Sequence, residues 1–434
     1  MTLLGLRSVL CRRSSVSAAA VLAGIHIVAA PCAADELPTG PPAVGHAVPY
    51  TVAPGPTALA AAAQGVWSET VQMPGATFIK PHFVGLELEA GDELVVRSAS
   101  GRVVERLTGR GPKDRGTFWG LSGFGDLLTL EFRFRGEYDE LPFRIDQVIV
   151  GDRDLWGGNG GSGLGKSVCA PADFDDVACY DDDPVKWANA RATVGVLTVS
   201  GDPAVAIFCS GSNVSPDSYV LTNDHCLSGT GTCPQFGSCA AAEFIFRYYR
   251  AGCNDGSPIG YWESFHCDEV VASSPCVDCD SGLGDLDFAL ASVIGDPAST
   301  YGWIQPDPVP LTDGEAIYVI QHPNGRPQEI AHGSGADVDV DGTVIRYYGT
   351  LDTQPGSSGS PVLRESDGKM VGLHHCGGCE TASGNRGVAM SDIFPHIAPW
   401  VVDPTSIFED GFESGDTTFW SVLVDRALRD SPTR

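Results

Sequence analysis

Residues 354–361 read Gln354-Pro355-Gly356-Ser357-Ser358-Gly359-Ser360-Pro361. Glycine and proline at this density belong to a tight turn, one that can hold a single serine outward while backbone amides point inward. A serine hydroxyl is a weak nucleophile until a base takes its proton, so the turn gains meaning only if a base and an acid exist elsewhere. Both stand upstream. Leu221-Thr222-Asn223-Asp224-His225-Cys226 delivers a histidine at the end of a strand, and Asp287-Phe288-Ala289-Leu290 sets an acid at the mouth of an apolar one. Burial there would leave the carboxylate in need of a hydrogen-bonding partner, which His225 can supply. Neutral imidazole is also the side chain whose basicity suits proton transfer near neutral pH. The segments therefore assign Ser358 as nucleophile, His225 as base and Asp287 as the acid that orients it. The amides of Gly356 and Ser358 are the candidate oxyanion donors. Asp285 competes with Asp287 but is less directly joined to the apolar strand. Cys209, in Phe208-Cys209-Ser210-Gly211-Ser212, could bridge to Cys226 and fix the backbone beside the imidazole.

Outward from these segments, the chain begins as an exported protein would. Arg7, Arg12 and Arg13 precede a small and apolar run from Ser17 to Ala30, then Cys32-Ala33-Ala34 and the acidic Asp35-Glu36. This is a secretory signal peptide over 1–34. Cys11 and Cys32 leave with it, and an even number of cysteines remains for an oxidising compartment, where disulfides are the default. A formal net charge of −28 argues against nucleic acid or an anionic membrane as partner and favours solubility outside the cell. Residues 35–66, rich in Pro, Ala and Gly, read as a linker or disordered start. Residues 67–151 show short alternating strands, as in Leu128-Thr129-Leu130-Glu131-Phe132, and read as a small β-sandwich-like unit. Residues 152–168 form a glycine-rich boundary, 169–400 a cysteine-bearing all-β domain, and 401–434 a tail.

The segments around His225, Asp287 and Ser358, in that order, resemble the chymotrypsin-fold (trypsin-like) serine endopeptidases. Gln354 to Pro361, Ile320-Gln321-His322-Pro323-Asn324 and Leu373-His374 look most like the bacterial lysyl and glutamyl endopeptidases. The resemblance covers about 169–400 and implies a double six-stranded β-barrel with its site between the barrels. It also implies that Cys179 pairs with Cys253, and Cys169 with Cys376 or Cys379. Apart from the resemblance, the short separation of Cys233 and Cys239 suggests a local pairing. By the same resemblance, Asp352 stands where trypsin-like enzymes carry the acid of the primary pocket, which predicts cleavage after Lys or Arg. Thr353 and His374 match the pair with which glutamyl enzymes hold a carboxylate, so Glu is the competing option. Asn223-Asp224 replaces the usual Ala-Ala before the histidine, and Ser357 replaces the usual acid before the nucleophile.

Other motifs read less productively. Gly160 to Ser167 imitates a phosphate loop, but no Val/Ile-rich strand runs into it. Cys276-Val277-Asp278-Cys279 and Cys376-Gly377-Gly378-Cys379 imitate zinc ligands, yet export favours bridges. Asp337 to Gly342 imitates a calcium loop, with Tyr348 where the closing acid belongs. His322, His332 and His375 read as structural. The expectation is a secreted serine endopeptidase, monomeric, without metal or cofactor, acting on protein or peptide substrates. The alternative is a secreted binding protein on an inactive protease scaffold.

Overall fold

The computed structural model describes residues 40–52, 65–152, 168, 173–228, 236–260, 262–276, 286–342, 344–378 and 384–401. The residues read above as a signal peptide, most of the glycine-rich boundary and all but Val401 of the tail lie outside them. No helix among the described residues is long and apolar enough to cross a membrane.

A six-stranded barrel occupies the middle of the chain. Its strands run in the order Thr193–Ser200, Glu243–Phe246, Glu263–Ser274, Phe288–Val293, Tyr219–Thr222 and Val205–Asn213, and the last closes on the first. Thr193–Ser200 and Val205–Asn213 are buried over nearly their whole length, because one side fills the barrel and the other is covered. Val194, Val196, Val220, Phe244, Ala289 and Ala291 pack inside. The second half is an eight-stranded sheet rolled into a half-barrel, with Ile317–Gln321, Pro361–Arg364, Met370–Cys376 and Asn385–Ala389 at its centre. The double-barrel architecture expected from the sequence is therefore present, with its first barrel closed. The helix Met390–Val401 lays Ile393 and Ile397 into a core shared by strands of both halves.

Residues 66–151 form the expected sandwich. A sheet of Val66–Gln72, Leu127–Arg133, Glu93–Ser98 and Val103–Leu107 faces a layer containing Phe78–Val84 and Arg144–Gly151. Alternate residues such as Leu128, Leu130 and Phe132 point into the apolar filling, as the period of two requires.

The stretch 35–66, read above as a linker, needs correction. Ala43–Val52 is a strand that pairs on one edge with Arg144–Gly151 and on the other with Val205–Asn213 of the first barrel. Sandwich and barrel thus share one continuous sheet. Beside this seam strand, Lys80 forms an ion pair of 3.3 Å with Glu243, both side chains fully buried. Glu243 also accepts bonds from the amide and hydroxyl of Ser122, and His266 bonds Glu105. Val44, Phe78 and Phe124 pack against Leu197, Phe208 and Tyr248.

Cys179 is bonded to Cys253 and Cys209 to Cys226. The local pairing of Cys233 with Cys239 is overturned: Cys239 is bonded to Cys267 on the neighbouring strand, where the barrel fold brings them together. Cys169 and Cys379 lie outside the described residues, as does Asp285.

Candidate active site

The strand Tyr219–Thr222 ends at Asn223, and Asp224–Leu227 then make a single helical turn carrying His225. The Cys209–Cys226 bond ties that turn to the strand Val205–Asn213. Asp287 stands at the start of Phe288–Val293, which pairs with Tyr219–Thr222, so adjacency of two strands brings acid and imidazole together. Asp287 Oδ2 lies 2.8 Å from His225 Nδ1, and its Oδ1 accepts the His225 backbone N–H at 3.2 Å. The carboxylate is 1% exposed and the histidine 6%, so the pair is screened little by water. The bond to Nδ1 orients the ring and favours the tautomer with Nε2 as acceptor, while the bond to the backbone N–H holds the turn beneath it.

The turn carrying Ser358 comes from the second sheet and is anchored to the first. Ser210 N–H donates to Ser358 O at 2.8 Å, and the Ser210 hydroxyl donates to Gly356 O at 2.9 Å. Thr222, three residues before His225, donates its hydroxyl to Ser210 O at 2.7 Å. The serine turn and the histidine turn therefore hang from the same residue. Ser357 points inward to Gln321 Oε1 at 2.5 Å, while Gln321 Nε2 donates to Asp352 O at 2.7 Å. Gly356 (φ 99°) and Gly359 (φ 87°) take conformations that a β-carbon disfavours. Among the described residues, no protein acceptor takes the amide N–H of Gly356 or of Ser358. Two amides left open in one tight turn suit a developing oxyanion.

The three specificity candidates divide. Asp352 is buried and its Oδ2 accepts the backbone N–H of Asp173 at 3.0 Å. Thr353 is equally buried, and its hydroxyl has no partner among the described residues. His374 sits directly on the serine turn, exchanging backbone bonds with Gly359 and Ser360, and its Nδ1 meets the Tyr347 hydroxyl. Burial, with His375 and His225 close by, pushes the His374 pKa down to about 3, so the ring is neutral at ordinary pH.

Sequence reasoning overlooked Ser210, Gln321 and Asn223, which support the site without facing it. Ser210 directly follows Cys209 and Gln321 precedes His322 in segments already singled out, but nothing in residue type alone announced their roles. His375 was read as structural, yet its Nδ1 lies 3.8 Å from Asp287 Oδ2. The sulfurs of Cys209, Cys226 and Cys276 crowd the His225–Asp287 pair, but all three are in disulfides and so are not thiolate ligands.

Residues 209–373 match the family model for the trypsin-like peptidase domain. The chain is also similar to a protein of Plasmopara viticola called secreted RxLR effector protein 73, with 26% identity over 73% of this chain and 79% of the relative. Among solved structures it is similar to a Glu endopeptidase in complex with MPD, at 23% identity over 52% of this chain and 95% of that one, TM-score 0.37. It is also similar to the protease Anisep from Arthrobacter nicotinovorans, at 18% identity over 46% and 90% of the two chains, TM-score 0.33. The matched residues carry a trypsin-like serine protease fold and include His225, Asp287 and Ser358.

Proposed function

We propose that this chain is an exported serine endopeptidase in which Ser358 attacks the scissile carbonyl. His225 Nε2 takes the hydroxyl proton and later returns it to the leaving amine, and Asp287 stabilises the imidazolium that forms between these steps. The tetrahedral oxyanion is received by the amides of Gly356 and Ser358, and the acyl-enzyme on Ser358 is then hydrolysed by water through the same groups. The observation that carries this reading is the Asp287–His225 pair, held at 2.8 Å on one barrel, with a serine turn of two open amides anchored to Ser210 of that same barrel. Export is supported by the disulfides Cys179–Cys253, Cys209–Cys226 and Cys239–Cys267.

For the residue before the cut, the acidic option gains support. Asp352 is engaged with the Asp173 backbone, whereas the buried Thr353 hydroxyl lacks a partner among the described residues, and His374 is neutral. A substrate carboxylate would satisfy that hydroxyl and accept from the imidazole. The preference proposed is therefore Glu rather than Lys or Arg.

The test is labelling with a serine-directed fluorophosphonate, combined with turnover of a peptide library. One label at Ser358 is expected, together with peptide cleavage lost by about a millionfold in Ser358→Ala and comparably in His225→Ala. No label and no cleavage by the wild type would favour a binding protein on an inactive scaffold.

A further inference from the structure

Asp287 has φ 42°, a left-handed conformation uncommon for residues bearing a β-carbon, which Asp and Asn enter more readily than others when a local hydrogen bond supports it. Something must hold it there. Its amide makes only a long bond to Pro275 O, at 3.3 Å, but its carbonyl accepts the side-chain amide of Asn223 at 2.7 Å.

Asn223 has no obvious alternative employment. It is the residue preceding the helical turn Asp224–Leu227, where an asparagine ordinarily caps the first free amides, yet its side chain makes no cap hydrogen bond. It is fully buried, and its Oδ1 has no partner among the described residues. An alanine would fill the position without burying an unmet acceptor, so the residue carries a cost that packing does not explain. Among the described residues, the one bond its side chain makes runs from the turn bearing His225 to the main chain of Asp287.

We infer that Asn223 is a positioning residue of the proposed peptidase: its Nδ2 holds the Asp287 backbone in its left-handed conformation, so that the carboxylate keeps both bonds to His225. The inference rests on the reading of Ser358, His225 and Asp287 as a catalytic unit and names a fourth member that touches none of the reacting atoms. Other groups facing the carboxylate are the His375 ring, 3.8 Å away, and the Cys276 sulfur, within 4.8 Å.

The experiment is a double-mutant cycle with Asn223→Ala and Asp287→Ala, read by kcat and KM separately and by the low-field proton NMR signal of His225 Nδ1–H. Loss of the clamp is expected to lower kcat by roughly ten- to a hundredfold, the scale of a small misplacement of a catalytic group, with little change in KM. The low-field signal should shift or broaden. In the Asp287→Ala background the same substitution should cost almost nothing further, because the residue acts only through that acid. Retained kcat, an unshifted proton signal, or full additivity of the two losses would overturn the inference. If Asn223→Ala does not fold, Asn223→Asp keeps the shape without the donor and is read in the same way. Collapse of both variants would assign the residue to stability instead and also overturn it. Full activity of Ser358→Ala would bring down the catalytic reading itself, a result distinct from all of these.

Discussion

Among single residues, the sharpest division runs between Asp352 and its neighbour Thr353. A hydroxyl buried without a partner costs free energy that a bound carboxylate would recover, and charge-assisted bonds of this kind contribute about 2–3 kcal/mol. Thr353→Val and His374→Leu should each lower kcat/KM for peptides with Glu before the cut by roughly a hundredfold, with Asp352→Ser leaving that preference in place. Cleavage after Lys or Arg that disappears in Asp352→Ser would return the pocket to the basic option. His374 belongs to a set with His322 and His375, whose pKa values burial pushes down to about 3, 4 and 4 respectively. Unfolding lets each ring take up a proton near its ordinary value of about 6.5, so the unfolded chain binds more protons below that pH. The stability these neutral rings contribute is complete above about pH 6.5 and lost as pH falls towards 4 and 3. Thermal melts stepped from pH 7 to pH 4 should show a steep fall in midpoint, made shallower by His322→Phe. His225, Asp287 and Ser358 could be read from the sequence because the chemistry demands those residue types in recognisable neighbourhoods. Asn223 and Ser210 could not, since they act through backbone carbonyls that any residue would offer.

At the level of elements, the turn 354–361 is held by its glycines as much as by its hydrogen bonds. A β-carbon on Gly359 would meet Ser210 O at 2.1 Å and Thr222 Oγ1 at 2.3 Å, and the position has φ 87°. Gly359→Ala should therefore cost more than about 1 kcal/mol of stability and push the serine turn away from the histidine turn. A melt combined with fluorophosphonate labelling would check this; wild-type labelling rate in the variant would mean that the two turns are not coupled through Ser210. Barrel strands such as Tyr219–Thr222 and Phe288–Val293 were legible because one delivers His225 at its end and the other carries Asp287 at its mouth. The seam strand was not: Ala-Val-Gly-His-Ala-Val-Pro-Tyr-Thr-Val over 43–52 has neither clean alternation nor an unbroken apolar run. It is wedged between two different layers along its length, so its burial follows neither pattern. Pro49 adds the one residue that cannot donate to a ladder.

For the whole molecule, the seam decides what cutting the chain would do. The glycine-rich boundary with its basic Lys166 is, from its sequence, a place where a protease could cut; it lies outside the described residues, but the consequence of a cut there can be argued from those that are. A cut within 153–167 is expected to leave the two pieces together, because a strand ladder, the Lys80–Glu243 and Glu105–His266 pairs and a shared apolar cluster still join them. Removing one partner of a buried ion pair typically costs about 3–5 kcal/mol, so Lys80→Met should loosen the joint. Size-exclusion chromatography of nicked protein should show one peak for wild type; two peaks without denaturant would make residues 40–151 a separable propeptide. The position of the seam strand also bears on how the chain reaches its native state. Ala43 lies opposite Ile207, so an edge synthesised early finds its partner only after the sandwich and the boundary have been made. Topologies of such high contact order fold slowly and leave strand edges open to other chains in the meantime. Crowded expression should therefore yield aggregates seeded at residues 43–52, and holdase chaperones that shield that edge should raise the yield.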